Sequence, residues 1–123
     1  MTRFCLGFEL HQPYRLNKTF RPGSGPADHM DRYFDPVNKE ILLRVCDKCY
    51  HPATSIILDQ LDNGFACAFS MSGVLIEQME KWAPDTLDLF VQAASHRNVE
   101  MICQTYYHSM ASLFWEMDEF REQ

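Results

Sequence analysis

His11-Gln12-Pro13 follows directly on the apolar stretch 3–10, so two strong hydrogen-bonding side chains stand where a strand should end. A second apolar run, Val99 to Thr105, ends the same way at Tyr106-Tyr107-His108. Imidazoles hold or transfer protons near neutrality, an amide both donates and accepts, and a tyrosine joins an apolar ring to a polar hydroxyl. Glu9 and Glu100 add carboxylates to the same two segments. A different chemistry is open to Glu9, His11 and His108, which could ligate a divalent metal whose bound water attacks an acetyl carbonyl. The Asp-Asp and His-x-x-x-His signatures of such deacetylases are absent. Cys46-Asp47-Lys48-Cys49 has the spacing of half a zinc site or a redox motif, but no second cysteine pair follows. It reads as two thiols on a packed helix, and no metal or cofactor is expected.

These groups need elements to position them. In the first segment Phe4, Leu6, Phe8 and Leu10 share one face of a strand, and Cys5, Gly7, Glu9 and His11 the other. Phe65 to Met71 repeats the division, with Phe65, Cys67, Phe69 and Met71 against Ala66, Ala68, Ser70 and Ser72. Val99 to Tyr106 sets Val99, Met101 and Cys103 against Glu100, Ile102, Gln104 and Tyr106. Between the strands, helical spacing runs through Ile41, Leu42, Val45, Cys46 and Cys49, opened by Asp35 as cap with Pro36 at the first helical position. Pro52 is expected to break this helix, and Asn63-Gly64 to close the segment carrying Ile56, Ile57, Leu58 and Leu61. Leu75 to Trp82 and Asp85 to Ser95 read as two further helices, the latter opened by Pro84. An amphipathic segment starts at Met110, and its acidic residues Glu116, Asp118, Glu119 and Glu122 read as a solvated helix face. The long segment Tyr14 to Tyr33, with Pro22-Gly23-Ser24-Gly25-Pro26, is a loop of the length that usually carries function.

Strand, crossover, strand, crossover, strand predicts an α/β fold with a parallel sheet and right-handed connections, its C-terminal strand ends on one rim. Only one face of each strand is bulky and apolar, which suits the wall of a barrel with a polar interior better than a sheet covered on both sides. Glu9, His11, Ser70, Glu100 and Gln104 would face that interior. A chain of 123 residues forms one domain, burying about 65% of the surface its unfolded form exposes. The net charge of −6, with no basic cluster, excludes nucleic acid as a partner. No apolar run is long enough to span a membrane, and the N-terminal residues lack the basic, apolar and small-residue zones of a signal peptide, so none is expected. A cytoplasmic protein is expected, its odd number of cysteines reduced, with Cys5, Cys67 and Cys103 in buried strands.

Phe8 to Tyr14, Phe69 to Val74 and Thr105 to Phe114 together resemble the N-terminal part of glycoside hydrolase family 57, in particular its α-amylase subgroup. The resemblance covers almost the whole chain and implies residues 1–123 as the N-terminal segment of an incomplete seven-stranded (β/α) barrel. It implies a retaining α-glucan hydrolase, with α-glucans or maltooligosaccharides as partners. His11 and Gln12 match the first motif, which lines a substrate subsite, and Glu100 falls where the second motif has its acidic residue. Arg97 stands where that motif has glycine, and Gln104 where the subgroup often has glutamate. Tyr107 and His108 complete the implied substrate-binding set. The nucleophile and the acid/base are implied to lie beyond Gln123, so no catalytic residue is expected here, and the chain alone should be inactive. It should also associate with itself or with a C-terminal half. A 4-α-glucanotransferase of the same family, a metal-dependent deacetylase and a non-catalytic carbohydrate-binding fragment remain alternatives.

Overall fold

The computed structural model describes residues 4–21 and 32–123. The Pro22 to Pro26 turn-rich stretch therefore lies outside the described residues. Three strands, β1 (Gly7–Leu10), β2 (Cys67–Met71) and β3 (Val99–Ile102), form one parallel sheet in the order β1-β2-β3. Each crossover is helical, through α1 (Val37–Val45) and α2 (His51–Leu61), then α3 (Gly73–Trp82) and α4 (Pro84–Ala94). The sheet is the expected one, with shorter strands. Residues 4–6 precede the ladder, although the Ala68 N–H still donates to Leu6 O at 2.9 Å.

The two-residue period decides which side chains meet the helices. Cys67 and Phe69 lie buried under α4, where the Phe69 and Phe90 rings meet edge to face at 5.5 Å. With Leu42, Leu61, Leu75, Met79 and Ala93 they form one core cluster. On the other face, Gly7, Glu9, Glu100 and Ile102 are exposed, and Ala68 and Ser70 half-buried. The described helices thus leave one face uncovered, as in the wall of a partial (β/α) barrel.

Three local expectations need correction. Pro52 does not end the helix: Cys46–Tyr50 is a π-helical turn, and α2 continues directly from it. A proline in mid-helix removes one N–H donor and crowds the carbonyl four residues back, which a widened turn accommodates. Accordingly the His51 N–H bonds to Cys46 O, five residues back. Cys46 is buried and Cys49 exposed, so the pair is split between core and surface. Second, only Cys67 of the three strand cysteines is buried, whereas Cys5 and Cys103 are exposed beyond the ends of their ladders. Third, the amphipathic segment from Met110 is broken into a 3-10 turn (Ala111–Leu113) and the short α5 (Asp118–Glu122), which carries Asp118, Glu119 and Glu122 but not Glu116. Leu113, Phe114 and Trp115 are left exposed there.

Other boundaries follow their signals. Gly64 closes α2 with φ of +92°, where a side chain would be strained. Pro36 is the cap of α1 and not its first residue, and the Asp35 carboxylate accepts from the Val37 N–H at 3.0 Å. The described ends of the long loop pair with each other: Leu16 and Phe34 form an antiparallel bridge, and buried Asn38 both accepts from the Arg15 N–H and donates to Arg15 O. The residues that leave β1 are thereby tied to the start of α1.

Candidate functional site: a paired-histidine rim

The register Leu10↔Met71 places His11 level with Ser72, one residue past the ends of β1 and β2. His11 Nδ1 lies 2.7 Å from Ser72 Oγ, whose residue is fully buried at the start of α3. Glu9 shares the same face two residues earlier, level with Ser70 and, across β2, with Ile102. Continuing that count brings Gln104 toward the His11–Ser72 row. The chain then turns back: the His108 N–H donates to Thr105 O, and the Thr105 hydroxyl and the Ser109 N–H close the same turn. His108 adopts φ of +53°, a left-handed conformation that histidine tolerates better than most residues but still at a cost. That turn returns its ring over His11, with centroids 4.8 Å apart and planes at 32°.

Two oxygens face His108 Nδ1, Gln104 Oε1 at 2.5 Å and Glu9 Oε1 at 3.2 Å. Both are acceptors, so Nδ1 carries the proton and Nε2 is left for an outside partner. The pairing with Glu9 is exposed, so it orients the ring more than it stabilises the fold. Gln104 Nε2 is buried without a hydrogen-bond partner. Burial pushes the His11 pKa below its ordinary 6.5, the nearby His108 adds to that, and Glu9 opposes it. With Nδ1 engaged by Ser72 Oγ, a neutral His11 has Nε2 left for an outside partner.

The sign of the resulting pH dependence follows from linkage. Below pH 6.5 the unfolded chain protonates at this position while the folded chain resists, so stability falls as pH drops from 6.5 toward the lowered value. A ¹H–¹³C titration of the imidazoles should place His11 below 6.5. His11→Gln should flatten the decline in melting temperature between pH 7 and pH 5. A His11 midpoint at or above 6.5 would contradict the burial argument.

The other sequence-predicted residues are placed differently. Gln12 turns its side chain toward the Tyr50 hydroxyl, whose pKa burial raises and this contact lowers again. Its carbonyl accepts from Gln78 Nε2 at 2.6 Å. Tyr107 stands beside His108 with its ring exposed, edge-on to Tyr106 at 4.9 Å. Glu100 is level with Ala68 and not with Ser70, so it sits two residues below Glu9 and two strands away. That spacing amounts to roughly 11 Å between Cα atoms. Glu100 is therefore not brought to the histidine pair. Among the described residues no group of three or more His, Cys, Asp and Glu side chains could hold a metal ion.

The residues that sequence reasoning passed over are Glu77 and Gln78 of α3. Glu77 accepts from the Tyr14 hydroxyl at 3.1 Å and the Tyr106 hydroxyl at 2.8 Å, and buried Gln78 holds the Gln12 carbonyl. Their signal was position alone: the second turn of a helix that starts at the rim. A trough of about 320 Å³ on the open face is lined by Gly7, Phe8, Glu9, Ser70 and Ile102. A larger cavity of about 490 Å³ lies behind Tyr14, between α1 and α3. There Tyr14 stacks on Phe34 and meets the edge of Trp82, so its ring faces are already engaged.

The sequence model described as glycosyl hydrolase family 57 matches residues 5–123. A protein of Methanocaldococcus jannaschii named "Putative alpha-amylase" is 40% identical over 117 residues, which is 94% of this chain and 25% of that protein. The chain thus spans a quarter of the length of that relative. No solved structure matches.

Proposed function

The chain belongs to glycosyl hydrolase family 57, and from that premise we propose that it is the N-terminal segment of an α-glucan-active, retaining hydrolase of the α-amylase kind. Its contribution is one wall of a sugar subsite. The observation that carries this reading is the convergence of His11 and His108 at the C-terminal rim of a parallel sheet, above an open trough. Sites on such folds lie at that end.

His11 offers a neutral imidazole to a glucose hydroxyl, and His108, its Nδ1 proton held by Glu9 and Gln104, offers Nε2 beside it. Exposed Tyr107 supplies a ring face for the apolar side of a glucose unit. Retaining hydrolysis needs two carboxyl groups about 5–5.5 Å apart across the scissile bond. We assign neither role to Glu9 or Glu100, and place both nucleophile and acid/base in the part of the enzyme that this chain does not span. The printed name of the Methanocaldococcus jannaschii relative favours hydrolysis over glucanotransfer. Exposed Met101 and Ile102 on β3, with Leu113, Phe114 and Trp115 after it, suit further barrel strands as the covering partner. A cytoplasmic setting suits the five free thiols.

Titrating the chain with maltohexaose while following imidazole NMR signals tests the reading. Saturating shifts should appear at His11 and His108. His11→Ala and His108→Ala should each weaken binding about tenfold, a loss of about 1.4 kcal/mol. Exposed Lys48→Ala on the π-helical turn should leave binding unchanged. Imidazole signals that stay put at millimolar sugar would sink the subsite.

A further inference from the structure

His11 and His108 leave strands that are not neighbours. β2 lies between β1 and β3, and the ladders end at Leu10 and Ile102. No sheet hydrogen bond can therefore fix the spacing of the two rings, and beyond the exposed Glu9–His108 pair a link from outside the sheet has to. The first two turns of α3 provide it. The Val74 N–H donates to Tyr106 O at 3.1 Å, and Gln78 Nε2 donates to Gln12 O. Glu77 then joins the two segments through separate oxygens, Oε1 receiving the Tyr14 hydroxyl and Oε2 the Tyr106 hydroxyl. Tyr14 stands three residues after His11, and Tyr106 two before His108.

We propose that Glu77 is a positioning residue of the rim: by accepting from Tyr14 and Tyr106 at once, its carboxylate sets the spacing of the His11 and His108 imidazoles. The part of this that concerns sugar rests on the function proposed above. The part that concerns the rings rests on geometry alone. Both hydroxyls stay protonated as donors over the working pH range. The pKa of Tyr106 is raised to about 12, first by its hydrogen bond to Glu77 and then by burial, and that of Tyr14 to about 12, first by burial and then by the same carboxylate. A hydrogen bond to a charged acceptor, made twice by one group, couples its two donors, because losing either breaks the link between the segments.

Tyr14→Phe and Tyr106→Phe test this with the least disturbance, since each keeps its ring. In the full chain, Tyr14→Phe should move the imidazole signals of His108 as well as those of His11, and Tyr106→Phe those of His11 as well as His108. Each variant should weaken maltohexaose binding about threefold to tenfold, and the double variant by less than the product of the two. Glu77→Ala should match the double variant, while Glu77→Gln, which keeps an oxygen acceptor, should recover part of the loss. If Glu77→Ala does not fold, the tyrosine cycle still decides. Imidazole shifts confined to each tyrosine's own segment, with affinity losses that multiply, would overturn the proposal. Should wild type bind no maltohexaose, the sugar reading falls, and the cross-site imidazole shifts alone confirm or overturn the role of Glu77.

Discussion

Incubated with soluble starch or maltooligosaccharides, the purified chain is expected to release reducing ends no faster than buffer. Three carboxylates stand nearest the rim, and each has a reason not to break a glycosidic bond. Glu9 holds the His108 ring, and Glu77 accepts two tyrosine hydroxyls on the far side of the rim segments. Glu100 sits two strands away from Glu9 and two residues lower. A glycosidase holds its two carboxyl groups about 5–5.5 Å apart for retention or about 6.5–9.5 Å apart for inversion, whereas here Glu9 is engaged with His108 Nδ1. Without a positioned pair the rate enhancement, at least about a millionfold in ordinary enzymes, is lost as a whole and not in part. A long incubation with sensitive reducing-sugar detection checks this. Turnover abolished by Glu9→Gln or Glu100→Gln would show that the pair is assembled in this chain after all.

Gly73→Ala is expected to lower stability by about 3 kcal/mol, with a fall in melting temperature of roughly 10 °C. Helix propensity argues the opposite, because alanine in a helix is favoured over glycine by about 0.5–1 kcal/mol. Contact decides the sign. A Cβ at Gly73 would lie 2.1 Å from Tyr106 Cδ2, 2.4 Å from Cε2 and 2.7 Å from Cγ, so the whole ring must leave. The ring cannot swing away without releasing its hydroxyl from Glu77, and the Tyr106 carbonyl is held by the Val74 N–H. Thermal unfolding followed by circular dichroism, with the His108 imidazole signal as a local reporter, measures both parts. A variant as stable as wild type, with an unmoved His108 signal, would mean that Tyr106 does not rest on the glycine.

Much of the architecture was legible because it rests on local rules. The period of two in Phe65 to Met71 assigned Cys67 and Phe69 to the helix side, and the structure buries them there. Asn63-Gly64 ended α2 because only glycine accepts its φ of +92° cheaply. The helix after Gly73 and the one opened by Pro84 follow apolar spacing and proline placement. Pro52 misled because a π-helical turn removes the clash that a proline causes in a regular helix, and no residue type announces such a turn. Cys5 and Cys103 misled because alternation assigns a face of the sheet but not whether anything covers it.

The same division holds at the rim. Residue order by itself determined that His11 stands one step past a strand, on the face shared with Glu9, since the two-residue period is a property of the extended backbone. It also determined the family, through motifs carried by His11-Gln12-Pro13 and Tyr106-Tyr107-His108. Only the tertiary structure decided the rest. The parallel register put Ser72 beside His11 and kept Glu100 away from Glu9, because a shift of two residues along a strand is invisible to periodicity. The left-handed turn at His108 brought its ring against that of His11, and Glu77 reached two tyrosines that lie 63 and 29 residues away in the chain. Such contacts depend on how far apart two strand ends finally stand, a distance set by the packing of the whole sheet and by no single segment.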